Sequence, residues 1–175
     1  MVQNIWKDGV FGLIVGDALG VPVEFSSREE CEHNPVIGMR AYGTHNQPAG
    51  TWSDDSSMTL ATLDSIKQKG KIDYKDLMDK FTEWCLYADY TPFQEVFDIG
   101  VATSRAIIQY GKGTDPIDCG GKTEWDNGNG SLMRILPVCL YLYNRQKMIC
   151  TSENESIYLI HNVSALTHAH LRSQI

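Results

Sequence analysis

The chain has 175 residues, 42% of them hydrophobic and 21% charged, which is enough for one domain with a real core and sets aside disordered and fibrous classes. Asp and Glu number 22 against 15 Lys and Arg, a net charge of -7. No basic cluster reverses that sign locally, so we expect no nucleic-acid partner and a small ligand or a cation instead. The longest apolar runs, around 10–19 and 135–143, are interrupted and too short to span a bilayer, so no membrane partner is expected. The N-terminal MVQNIWKDG lacks the basic and apolar segments of a signal peptide. Cys31, Cys85, Cys119, Cys139 and Cys150 are scattered without a C-x-x-C, the pattern of reduced thiols and a cytoplasmic protein.

Apolar residues recur at helical spacing and sustained alternation is missing, which predicts an all-α chain. In the first helix Trp6, Val10, Leu13 and Ile14 share a face and lead into GLIVGDALGVPVEF. Asp17 and Glu24 are acids in apolar surroundings, where a carboxylate is paired or has a raised pKa. Asp17 reads as a local hydrogen-bond acceptor on a packing surface. Glu24, just after Pro22, reads as a general base or as a support for a metal ligand. An irregular segment from Ser26 to Ser53 follows.

The second helix begins near Asp55 or Ser56, carries Met58, Leu60, Ala61, Leu63 and Ile66, and ends at Lys67, Lys69 and Gly70. Asp73 is the expected N-cap of the third, whose stripe is Leu77, Met78, Phe81, Trp84 and Cys85. The fourth runs from Phe93 or Phe97 to Tyr110. A second irregular segment, GKGTDPIDCGGKTEWDNGNG, precedes the fifth helix, SLMRILPVCLYLYNR, in which Pro137 either kinks the helix or sits in its first turn. Ser152 and Glu155 form a capping box for the sixth, with Ile157, Ile160, Val163 and Leu166 on its buried face. No repeat or linker divides the chain, so residues 1–175 are read as one domain. Both irregular segments are of a length that accompanies function or disorder.

Four stretches bear on chemistry. In GTWSDDSSM the adjacent carboxylates of Asp54 and Asp55 repel, and a hard divalent ion compensates them well, with Ser53 adding a hydroxyl. The same residues also make an ordinary polar helix start. GLIVGDALGVPVEF supplies Glu24. DNGNGSLMR can turn backbone N–H groups and the Ser131 hydroxyl toward phosphate, although a turn with an N-cap explains it equally, and the P-loop spacing is absent. In SALTHAH a His closing a helix commonly caps carbonyls, and His168 is open to that reading or to ligand contact. These residues alone are compatible with a metal-dependent phosphohydrolase.

Taken together and in this order, GLIVGDALGVPVEF, GTWSDDSSM, NGNGSLMRILP and ALTHAH resemble the ADP-ribosylglycohydrolase family. The resemblance implies an orthogonal multi-helix fold around a cleft holding two Mg2+ or Mn2+ ions, and no organic cofactor. It implies cleavage at ribose C1″ between ADP-ribose and a protein side chain or small acceptor. It places Ser53, Asp54 and Asp55 as metal ligands, with Glu24 and Asp55 catalytic. Asn129, Gly130, Ser131 and Met133 would line the diphosphate and distal ribose, and His168 would contact the ADP-ribose. Divalent ions can hold ribose hydroxyls and acidify a water while a carboxylate manages the proton. The family also carries, beyond the T-H segment, an acidic D-x-D-S/T cluster that completes the metal shell, and this chain contains no D-x-D. We therefore expect a fold truncated before the C-terminal helices, with apolar faces for a complementary C-terminal chain or a homo-oligomer. The alternative reading is a non-catalytic, ADP-ribose-binding or structural member of the family.

Overall fold

A computed structural model describes residues 4–149 and 153–173. Seven helices run through it: α1 Ile5–Gly20, α2 Arg28–His33, α3 Asp54–Lys69, α4 Tyr74–Tyr87, α5 Val101–Gly111, α6 Leu136–Ile149 and α7 Glu153–Ala165. Among the described residues β pairing is limited to two isolated bridges, Tyr42 with Gln47 and Gly121 with His168. No helix among them is long and apolar enough to cross a membrane.

Helix α3 is the hub, packing on α1, α4, α6 and the tight turn Leu132–Arg134. Met58, Ala61 and Ile66 bury its apolar side, and Ser56, Ser57, Thr59, Thr62 and Ser65 are buried as well. Small hydroxyl side chains let neighbouring helices approach, and several return a hydrogen bond to the helix itself. Ser57 donates to Ser53 O at 2.8 Å and Thr62 to Met58 O at 2.8 Å. The helix ends as expected at Gly70, whose φ of 65° suits glycine and whose N–H reaches Ile66 O. Around it, Leu77, Met78, Phe81 and Trp84 of α4 join Ala106, Ile107, Val138, Leu142, Val163 and Leu166 in the core. Each large apolar side chain so buried contributes about 1.5–3 kcal/mol.

Helix boundaries depart from the apolar pattern in instructive places. Helix α3 starts at Asp54, with Ser53 as its N-cap. Helix α5 starts at Val101 and not at Phe93 or Phe97, because Gln94 and Asp98 have φ of 56° and 55° and interrupt any helix there. The expected fifth helix splits into the turn Leu132–Arg134 and α6, with Pro137 in the first turn of α6, where its missing N–H costs nothing. Ser152 of the expected capping box lies outside the described residues, as does Cys150. On α7 Val163 is buried, with Leu166 buried just beyond its end, whereas Ile157 is exposed, a correction to the expected buried face. The first irregular segment contains α2, closed by a Ser27–Glu30 capping box. Cys31, Cys85, Cys119 and Cys139 are free thiols.

Helix α1 is apolar on more than one side: Val10 and Ala18 are buried while Ile5, Phe11 and Val15 stay exposed. Between Gly9 and Gly20 its one charge is Asp17, and that charge faces α3.

Candidate functional site

The first cluster forms where α1 meets the start of α3. Asp17 projects from α1 and receives four donors from the other element. Ser53 N lies at 3.0 Å and Ser53 Oγ at 2.8 Å, with Ser56 N at 3.0 Å and Ser56 Oγ at 2.6 Å. A carboxylate at a helix N-terminus satisfies N–H groups that the helix leaves unpaired and opposes the positive end of its dipole. Asp17 is a hydrogen-bond acceptor as anticipated, but its donors come from another element, 36 and 39 residues away, and are not local. Ser53 gives its proton to Asp17 and accepts the Asp55 N–H at 3.3 Å, so one hydroxyl lone pair remains open.

Asp54 and Asp55 fill the first turn of α3, beside a cavity of about 310 Å³ lined by Asp17, Gly20, Val21, Val23, Glu24, Ser53 and Asp55. Glu24 follows the tight turn Val21–Val23, against which a second loop packs closely. There Gly43 has φ 62°, and a Cβ on it would lie 2.1 Å from Pro22 O. Asp54 is only 7% exposed, and burial, reinforced by Asp55, Asp98 and Asp17, pushes its carboxyl up to about 8. Burial also raises Asp55, with Asp17, Glu24 and Asp98 adding repulsion. Among the described residues no Lys or Arg forms an ion pair with Asp54, Asp55, Glu24 or Asp98.

Two residues that no sequence signal marked gather around Glu24. His45 Nε2 lies 2.5 Å from Glu24 Oε2 and 3.9 Å from Asp98 Oδ2. The His45 ring sits near Phe25 and Phe97, with centroids at 6.1 and 5.3 Å. One ligand atom each from Glu24, His45 and Asp98 falls within 4.8 Å of the others. Phe25 and Asp98 both hold positive φ, 62° and 55°, a conformation costly for side-chain-bearing residues that persists where surrounding contacts impose it. Thr44 Oγ1 donates to Glu24 O and Trp52 Nε1 to Tyr90 O, tying the loops that carry these groups.

The donor set suits a hard divalent ion: clustered carboxylates, an open hydroxyl lone pair and a shortage of compensating positive charge. Such an ion would offset the burial and the added repulsion that raise Asp54 and Asp55.

The second cluster lies where the 126–134 segment meets the end of α7. Asn129 is exposed and its carbonyl accepts Leu132 N. Gly130 abuts the His168 ring; a Cβ there would lie 3.0 Å from Nε2 and 3.1 Å from Cε1. Ser131 is buried and its hydroxyl pairs with that of Ser164 at 2.7 Å, so it is engaged inside the protein and does not project outward. Met133 offers its carbonyl to Thr59 Oγ1 of α3 at 2.8 Å. His168 is 4% exposed and does not cap α7 with its ring. The ring turns inward, its Nδ1 2.7 Å from Thr167 Oγ1. Burial first, then the nearby Arg134 charge, pushes His168 down to about 4. None of Asn129, Gly130, Ser131, Met133 or His168 lines the acidic cavity. Helix α3 connects the clusters, with Asp54 and Asp55 at its start and Thr59 bonded to Met133.

A family model described as ADP-ribosylglycohydrolase matches residues 4–175. The chain is 30% identical over 165 residues to the ADP-ribosylarginine hydrolase Tri1 of Pseudomonas putida (strain GB-1), covering 93% of this chain and 41% of that protein. It is 33% identical over 141 residues to the ADP-ribosyl-dinitrogen-reductase glycohydrolase of Rhodospirillum rubrum, covering 74% and 42%. A solved structure described as an ADP-ribosylglycohydrolase-related protein complex superposes with a TM-score of 0.73 at 32% identity, covering 94% of this chain and 49% of that one. The chain thus spans about half the length of the relatives it matches.

Proposed function

The chain belongs to the ADP-ribosylglycohydrolase family, and on that premise we propose that it contributes one side of a metal-dependent site that releases ADP-ribose from a modified protein side chain by hydrolysis at ribose C1″. The observation that carries this reading is the buried Asp54 beside the half-buried Asp55, neither ion-paired with a Lys or Arg among the described residues, with Asp55 and Glu24 lining one cavity. Ser53, Asp54 and Asp55 would hold Mg2+ or Mn2+. Such an ion supplies Lewis acidity, orients ribose hydroxyls and makes water a better nucleophile.

The chain's own residues do the rest. Asp17 pins the Ser53–Ser56 backbone, so the two carboxylates stay at the head of α3. Glu24 Oε2 is engaged by His45, which leaves Oε1 to accept a proton from the attacking water. Asn129, Gly130, Met133 and His168 would receive the diphosphate side of ADP-ribose. Ser131 supports that loop through Ser164.

The test is a thermal melt with millimolar Mn2+, followed by assay of ADP-ribose release from an ADP-ribosylarginine protein in the presence of a polypeptide equivalent to the second half of the relatives. Mn2+ should raise the melting temperature of the wild type and not of Asp55→Ala. Release should vanish in Asp55→Ala and fall steeply in Glu24→Gln. An absence of any Mn2+ shift would remove the metal reading, and ADP-ribose release unaffected by Asp55→Ala would remove the catalytic one.

A further inference from the structure

The network behind His168 can be resolved proton by proton. Arg134 is fully buried, and Arg carries donors only. Its Nη1 donates to Val163 O at 2.9 Å and its Nη2 to Thr167 Oγ1 at 2.5 Å, while its buried Nε has no hydrogen-bond partner among the described residues. Thr167 is also fully buried, and its hydroxyl, already accepting from Arg134, has a single proton to give. A buried hydroxyl proton needs an acceptor, and the one within reach is His168 Nδ1 at 2.7 Å. Nδ1 is therefore unprotonated, and in neutral imidazole the proton then resides on Nε2.

Two further features hold that state. Arg134 has no carboxylate partner among the described residues; its charge is met by the Val163 carbonyl, the Thr167 hydroxyl and the face of Phe81, 4.8 Å from the ring centroid. Burial first, and then the cost of a second cation beside Arg134, keep His168 from protonating, against a smaller pull the other way from the Asp126 carboxylate. On the other side the ring rests on Gly128 and Gly130, whose missing Cβ atoms would lie 3.7 and 3.0 Å from Nε2. Among the described residues no hydrogen-bond acceptor serves Nε2, although the residue is 4% exposed.

We infer that Arg134 and Thr167 are positioning residues that lock His168 as a neutral, Nε2-protonated imidazole, presenting one fixed N–H donor at the Gly128–Gly130 turn to an oxygen acceptor of bound ADP-ribose. The identity of the ligand rests on the function proposed above; the lock rests on the protein alone. The lock discriminates by direction: an oxygen acceptor is rewarded, whereas a donor group placed there would meet a second donor.

The decisive measurement is long-range nitrogen-15 NMR of the imidazole rings in the whole chain. His168 should show a protonated Nε2 and a bare Nδ1, unchanged between pH 8 and about pH 5. An Nδ1-protonated signature, or protonation of His168 near pH 6.5, overturns the lock whether or not ADP-ribose binds. Thr167→Val should redistribute the His168 proton and weaken ADP-ribose binding roughly tenfold or more. Thr167→Ser should restore both. An unchanged signature in a folded Thr167→Val protein would overturn the role of Thr167. Wild-type protein that shows the signature but takes up no ADP-ribose at millimolar concentration would leave the lock standing and refute the ligand reading.

Discussion

The two ends of the candidate site handle buried polarity in opposite ways. At the head of α3, Asp54, Asp55, Glu24 and Asp98 gather negative charge, and among the described residues no Lys or Arg pairs with them; His45 Nε2 reaches Glu24 and Asp98 alone. At the end of α7, a fully buried cation sits without a carboxylate partner among the described residues, yet its two terminal nitrogens are engaged and the chain of donors leads to a single unpartnered N–H. The acidic end is held in place against its own repulsion by Asp17 and its four donors. The His168 end keeps unmet donors, the buried Arg134 Nε and His168 Nε2. The proposed complements follow from what each region lacks inside the protein: a cation would suit the first region and an oxygen acceptor the second.

Substitutions should therefore move stability in opposite directions at the two ends. The largest effect is expected from Arg134→Met, which strips the partners from Val163 O and the Thr167 hydroxyl in a fully buried place. Urea unfolding should show a loss of roughly 3 kcal/mol, equivalent to a fall of about 6–12 °C in melting temperature. A loss near zero would mean that the buried guanidinium is not integral to the second region.

Asp54→Asn should do the reverse in metal-free buffer. The folded-state carboxyl of Asp54 is raised from 3.8 to about 8, so folding favours the protonated form, and its contribution is progressively lost as pH climbs from 3.8 through 8. Removing the charge should stabilise the chelator-treated protein by about 1–2 kcal/mol at pH 8 and hardly at all at pH 4. The same variant should lose any stabilisation by Mn2+. Melts at both pH values check this, and destabilisation at pH 8 would contradict the picture of an uncompensated pocket.

The smallest change is expected from Gly130→Ala. The new Cβ would press on Nε2 and Cε1 of His168 at 3.0 and 3.1 Å, so the ring or the loop must yield by a few tenths of an ångström. A cost of about 1 kcal/mol is expected, with the metal response of the acidic region intact. Equal loss of both responses would show that the regions are one cooperative unit and not two.

Much of the fold was legible because its signals are local. Asp73 and Gly70 cap helices where their chemistry said they would, and the α4 stripe from Leu77 to Trp84 is core. Where local pattern misled, a distant requirement had won. The apolar spacing from Phe93 onward suggested helix, but the segment runs irregular with positive φ at Gln94 and Asp98, and this brings Asp98 beside Glu24 and Phe97 beside His45. Ser131 read as an outward hydroxyl, but the approach of α7 gives it Ser164 as a partner. His45 and Asp98 gave no signal, and Arg134 and Thr167, although inside NGNGSLMRILP and ALTHAH, had no role assigned, since each acquires meaning from groups supplied by another part of the chain or from its own complete burial.

From the sequence alone came the helices, their caps, the acidic pair Asp54 and Asp55 with Glu24 and His168 as companions, and the family those motifs denote. The tertiary structure alone decided that Asp17 spends its charge on α3, that His45 backs Glu24, and that Arg134 acts through Thr167 on His168. Helix periodicity and capping are written within a few adjacent residues. Glu24, Thr167 and Asp17 take their partners from 21, 33 and 39 positions away, brought together by burial of the apolar faces between them, and even the adjacent Thr167–His168 pair gets its hydrogen-bond direction from the distant Arg134.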